Sequence, residues 1–278
     1  MVSIFTIERR KNFWESFTRF VEDLHLSKVT TSANAHYKMA DYLDRCIRYW
    51  PHRCGAVSIE NYLYDIGVNL TNPEDERDLL LILELYINLL YWAPKQDLLD
   101  REGDALSITW KQDDVENETK RLLQNVAYIL EQCCNMRIRE IDDDSFPMYR
   151  ITKRNAYVDA AVEAVPELSE ALLGYYDIRN EDDLEYKKTA LTSIYTYLEP
   201  KRNDFKKLEW SSFCEEFFAG MNSFGIRHNT KAQIKMQAKK KKNVCDMLFM
   251  LAIYVLQTPE VLQYKKSLKE MRIKKTGE

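Results

Sequence analysis

At 278 residues the chain is long enough to bury one large core or two modest ones without disulfide or metal staples. Its 45% hydrophobic and 30% charged residues, of both signs, exclude a disordered chain, and seven Gly with seven Pro favour long helices over turn-dense sheet. The net charge of −4 hides an asymmetry: residues 201–278 carry 17 Lys and Arg against 8 Asp and Glu, so one end is basic and the acidic surplus lies in residues 1–200.

The opening MVSIFTIERRKNFW brings charges before any signal-length apolar core, which argues against secretion. Phe13, Phe17, Val21 and Leu24 then recur at helical spacing, with Trp14 and Phe20 widening the face. Ser32 is the expected cap of a second helix that places Met39, Leu43, Cys46, Ile47 and Trp50 on one side and ends at Pro51. Ser58 opens a short helix closed by Gly67. Asn72-Pro73-Glu74-Asp75-Glu76 combines a cap, a proline and dipole-matching acids, and starts a helix to about Trp92. A polar stretch from Ala93 to Asp114 precedes a long helix marked by Leu122, Val126, Ile129 and Cys133.

Between Met136 and Thr152 the period changes to alternation, and MRIREI, the turn-rich DDDSFP and MYRIT read as a β-hairpin. Asp142, Asp143 and Asp144 at its tip lack the Gly and downstream Glu of a calcium loop, so a solvated turn is expected there. Two short helices follow over Tyr157–Val165 and Pro166–Tyr176, and Asp182 or Asp183 begins a longer one to Pro200. Trp210, Phe213, Phe217, Phe218 and Met221 form the core face of the next helix. Val244 to Leu256 is apolar nearly all round and reads as a buried central helix, separated by Pro259 from a final basic helix. The apolar runs at 79–92 and 247–256 are shorter than the roughly 20 residues of a membrane span, so the chain is expected to be cytosolic, with no membrane contact. The expected fold is mainly α: a multi-helix bundle with one small β-hairpin between two helical parts, an N-terminal domain over 1–135 and a hairpin plus C-terminal domain over 136–278.

Chemistry is restricted by what is missing. No C-x-x-C joins the six cysteines, Glu22-x-x-His25 has no second copy, and phosphate-loop, dinucleotide, zinc-protease and serine-hydrolase motifs are absent. No metal or cofactor is therefore expected. Among four histidines, two stand near arginine: Arg45 with His52, and Arg227 with His228 and Asn229 in the stretch Asn222-Ser-Phe-Gly-Ile-Arg227-His228-Asn229. An imidazole that removes a 2′-hydroxyl proton and a guanidinium that stabilises a charged phosphorus centre suffice for metal-free RNA cleavage. The same groups can also cap a helix end or pack. Lys231, Lys235, Lys239, Lys240, Lys241 and Lys242 follow the second cluster, and can neutralise phosphates or form a solvated loop. Aromatics are not interleaved with them, so a base-stacking platform is not expected.

The C-terminal half, from the hairpin through LTSIYTYLEPKRNDFKKL to FFAGMNSFGIRHN and the closing apolar helix, resembles helical proteins of bacterial abortive-infection type grouped with the HEPN superfamily. That resemblance implies a helical bundle that dimerises or binds a protein partner, and a metal-independent ribonuclease using Arg-x(4 to 6)-His, with Arg227 as the matching arginine and Asn229 orienting it. His228 follows Arg227 directly, whereas Arg45 and His52 meet the spacing. An antiphage effector acting on RNA is the function this implies; the alternative is a non-enzymatic helical sensor or scaffold of a defence complex.

Overall fold

The computed structural model describes residues 4–95, 110–141, 147–205, 211–226 and 237–275. The chain is mainly α and divides into two compact units, Met1–Lys153 and Arg154–Glu278. The hairpin expected to open the second part therefore closes the first, and the boundary moves from 135/136 to 153/154. The side chains that bind the hairpin to its helix, described below, supply the reason.

In the first unit, α1 (Ile4–Leu26) buries Phe13, Phe17, Phe20 and Leu24. A short antiparallel pair follows, β1 (Lys28–Thr30) with β2 (His36–Lys38), and α2 (Met39–Cys46) begins only after it. Ser32 thus caps no helix. Thr31 explains the difference: its N–H donates to the Ala35 carbonyl at 2.9 Å and its Oγ1 accepts from Ala35 N–H at 3.0 Å, closing a turn in which Asn34 takes φ 61°. Helix α3 (Ile59–Asp65) starts at Ser58, whose Oγ accepts from Asn61 N–H at 3.1 Å, and Gly67 at φ +80° ends it as expected. Helix α4 (Glu76–Trp92) begins three residues later than the Asn72 signal suggested. Asp75 is the residue whose carboxylate accepts from Asp78 N–H, at 3.0 Å. Helix α5 (Gln112–Ile129) continues into a π turn, Leu130–Cys134, and leads into β3 (Met136–Ile141), which pairs antiparallel with β4 (Met148–Lys153). Asp142, Asp143 and Asp144 lie outside the described residues.

A two-residue step along a strand spans about 6.6 Å and a four-residue step along a helix about 6 Å, so side chains at i and i+4 of a helix can serve an edge strand's alternate backbone groups. Helix α4 does this for β4. Glu84 Oε2 accepts from Ile151 N–H at 2.9 Å, while Asn88 accepts from Tyr149 N–H and donates to its carbonyl, both at 2.8 Å. Arg150 Nη1 pairs with Glu84 Oε1 at 3.0 Å, giving the fully buried carboxylate its counter-charge. One edge of the hairpin is thereby satisfied without a third strand.

In the second unit, α6 (Ala156–Ala164), α7 (Ser169–Gly174), α8 (Leu184–Leu198), the single turn α9 (Arg202–Phe205), α10 (Ser211–Ser223) and α11 (Ala238–Lys275) surround one apolar core. Asp183 caps α8, accepting from Tyr186 N–H at 2.9 Å. Leu191, Ile194, Phe217, Phe218, Phe249 and Ile253 meet at its centre. Two expectations for the last segment are corrected. Helix α11 runs through Pro259, which costs one backbone hydrogen bond without ending the helix. It is also not buried all round, because Met247 is 60% and Tyr254 41% exposed.

Candidate nucleic-acid interface

The two Arg/His arrangements fare differently. Arg45 stands exposed in the last turn of α2, its guanidinium 5.5 Å from the centre of the Tyr37 ring on β2. The chain then tightens into a 3-10 turn, Ile47–Tyr49, and reaches His52, which is half-buried with its ring edge-on to Trp50 at 5.6 Å. Each side chain thus rests on an aromatic ring of its own, Arg45 in an exposed position and His52 with its Nε2 buried. Arg227, His228, Asn229, Lys231 and Lys235 lie outside the described residues.

Asn222 is exposed at the end of α10. Backbone closes that end: with Gly225 at φ 64°, Ile226 N–H reaches the Met221 carbonyl at 3.3 Å and Phe224 N–H the Gly220 carbonyl at 3.0 Å. The Asn222 side chain is left at the surface. The lysine run opens α11 as helix, not loop. Lys239 and Lys240 are exposed, Lys241 is half-buried, and Lys242 pairs with Asp182 in the same unit. That hydrogen bond raises the Lys242 pKa despite partial burial, which fixes its charge and ties it to Asp182.

Geometry adds a feature that spacing in the sequence hides. Seven residues of α-helix return to within about 20° of the starting direction, so Lys240, Met247 and Tyr254 share one face of α11 over about 21 Å. All three are exposed, as is Asn243 beside them. At the far end two more exposed rings join: Tyr157 of α6 lies 6.1 Å from Tyr254, and Phe213 of α10 lies 6.4 Å from it. Phe213 was expected in the core; at 41% exposed it belongs to this surface cluster, while Phe217, Phe218 and Met221 fill the core as predicted. The result is a stripe with ammonium groups at the helix N-terminus and three contiguous aromatic rings at its other end.

One further set of titratable groups is committed to packing. Asp246 Oδ1 takes Lys187 Nζ at 2.7 Å and the Tyr175 hydroxyl at 2.8 Å, and the Lys187 ammonium lies 4.3 Å from the Tyr175 ring centre. Burial first, and then the Asp246 charge, push the Tyr175 phenol above its ordinary range, so it serves as a fixed donor. Tyr175 in turn stacks on Phe249 at 3.7 Å, which ties the network to the core. Among the described residues, no group of three or more His, Cys, Asp and Glu side chains converges as a metal site would, and no helix is long and apolar enough to cross a membrane.

Comparison with protein-family models, with curated proteins and with solved structures finds no match to this chain.

Proposed function

We propose that this protein is an RNA-targeting effector of antiphage abortive infection, which holds single-stranded RNA along the exposed stripe of α11 and cleaves it without a metal ion. The observation that carries the reading is that stripe: Lys239 and Lys240 at one end suit phosphates, and Tyr254, Phe213 and Tyr157 at the other present ring faces of the size and chemistry on which bases stack. The helix N-terminus adds its own positive end where the lysines stand. In this reading a histidine takes the 2′-hydroxyl proton as the 2′-oxygen attacks phosphorus, an arginine stabilises the charge at phosphorus, and the 5′-oxygen leaves as a hydroxyl with a proton from water, giving a 2′,3′-cyclic phosphate. Arg45 with His52, and Arg227 with His228, are the two candidate pairs, and Asn222, Asn229 and the lysines of 231–242 are the candidate RNA contacts. A homodimer or a protein partner belongs to the same reading.

Incubation of the intact chain with total cellular RNA in chelator tests it. The reading expects cleavage by wild type and its loss in either His52→Ala or His228→Ala. Cleavage untouched by both substitutions removes both site assignments. One observation favours a second reading, a non-enzymatic sensor or scaffold: His52 packs on Trp50 and Lys242 on Asp182, so part of the suggestive chemistry is spent internally. RNA left intact, together with a stable protein partner, supports that alternative.

A further inference from the structure

Three exposed rings stand together in the second unit, and Tyr254 of α11 is the middle one. The Tyr157 ring centre lies 6.1 Å from it with the planes inclined by 55°, and the Phe213 ring centre lies 6.4 Å from it with the planes inclined by 38°. Tyr157 is 54% exposed and the other two 41%, so each keeps ring surface toward solvent. Rings that lie flat on one another are found elsewhere in the chain, as in Tyr175 on Phe249 at 3.7 Å and 11°. The exposed trio is tilted instead.

Tilt decides what kind of strand these rings can hold. Bases in a stacked strand are parallel plates about 3.4 Å apart. Two rings inclined by 38° or 55° cannot both lie flat on bases of one such stack. A base can therefore settle on each ring only after it has left its neighbours, and the strand has to open across the cluster. The ring contact itself discriminates little, because every base has a π-face. The cost of opening does discriminate: adenines stack on one another strongly and uracils weakly, and preferences among single strands follow stacking strength and backbone flexibility. Resting on the reading of this face as an RNA site, we infer that Tyr157, Phe213 and Tyr254 splay neighbouring bases apart and so select weakly stacking, uridine-rich single strands over adenine-rich ones. Lys239 and Lys240 meet phosphates, which are alike in both strands, so they add affinity without preference.

Fluorescence anisotropy of end-labelled uridine and adenosine oligomers of equal length, titrated with the intact chain at one salt concentration, tests the assignment. Wild type is expected to bind uridine about tenfold more tightly. Circular dichroism of the adenosine oligomer gives a second readout: its stacked-base signal is expected to fall in the saturated complex, because adenines held on tilted rings have left their stack. Tyr157→Ala with Phe213→Ala alters two exposed positions and leaves Tyr254 as a single platform. That pair is expected to bring the two affinities within about twofold of each other, with the salt dependence due to Lys239 and Lys240 unchanged. Equal or tighter binding of adenosine by wild type, through a complex that Lys239→Ala with Lys240→Ala weakens, overturns the splaying and leaves the RNA reading in place. An adenosine signal untouched by binding does the same, as does a uridine preference that survives loss of both flanking rings. Failure of folded protein to bind either oligomer overturns the splaying and the RNA reading together.

Discussion

In Met1–Lys153 a buried carboxylate and a buried amide clamp a strand to a helix, whereas in Arg154–Glu278 the helices pack mainly through aromatic and aliphatic side chains, with the buried Lys187 bonded to Asp246 beside that core. The clamp fixes register, since Glu84 and Asn88 match only backbone groups two residues apart on β4. The apolar core needs no such matching. It leaves Lys240, Met247 and Tyr254 exposed on one face of α11. Polar chemistry inside the first unit therefore reads as architecture, and the exposed lysines and rings of the second are the groups that the proposed function assigns to RNA.

The contrast breaks first at Glu84. Glu84→Ala strands Arg150 and the Ile151 N–H, and is expected to cost about 3–5 kcal/mol in urea denaturation, with the loss concentrated in the first unit. A loss under about 1 kcal/mol would mean the clamp is not a fastener. The double variant Glu84→Leu with Arg150→Met, which removes both charges, should recover part of the stability.

A smaller effect sharpens the same point through pH. Burial first, and then the Asp44 charge, push the Tyr86 phenol up to about 12. An unfolded chain releases that proton from about pH 10. Between pH 10 and about 12 the folded protein thus keeps a proton the unfolded one has lost, so this contribution is complete below pH 10 and declines as pH rises through that window. The slope for this residue is about 1.4 kcal/mol per pH unit, and Tyr86→Phe should remove it from alkaline denaturation curves.

The smallest perturbation is chemical labelling. Cys46 is fully buried, and burial pushes its thiol up to about 12, so it should resist iodoacetamide at pH 8 while exposed Cys54 is modified first. Mass spectrometry of early digests decides the order; simultaneous modification would mean that α2 opens readily.

Much of the helical order was legible because it is local. Ser58 caps its helix, Gly67 closes it, Asp183 starts α8, and the alternation of MRIREI and MYRIT gives β3 and β4. The failures have tertiary causes. Ser32 has the chemistry of a cap, but Thr31 and Asn34 close a turn there that no helical period signals. Glu84 falls inside the apolar run at 79–92, and its role appears only once β4 lies alongside α4. The aromatic end of the α11 stripe draws Tyr157, Phe213 and Tyr254 from three helices distant in sequence, so no window of residues contains it. An i, i+7, i+14 scan from Lys240 would have found its spine.

Fluorescence anisotropy of a labelled single-stranded uridine oligomer, titrated with the intact chain across a salt series, tests the recognition claim most directly. Wild type should bind with a linear log–log salt dependence. Replacing both Lys239 and Lys240 with Ala should reduce that slope by about 1.4, from roughly 0.7 per phosphate contact on a single strand. Tyr254→Ala should weaken affinity about tenfold with the slope unchanged. Binding that ignores all three substitutions, in protein that remains folded, would contradict the assignment of this face to RNA.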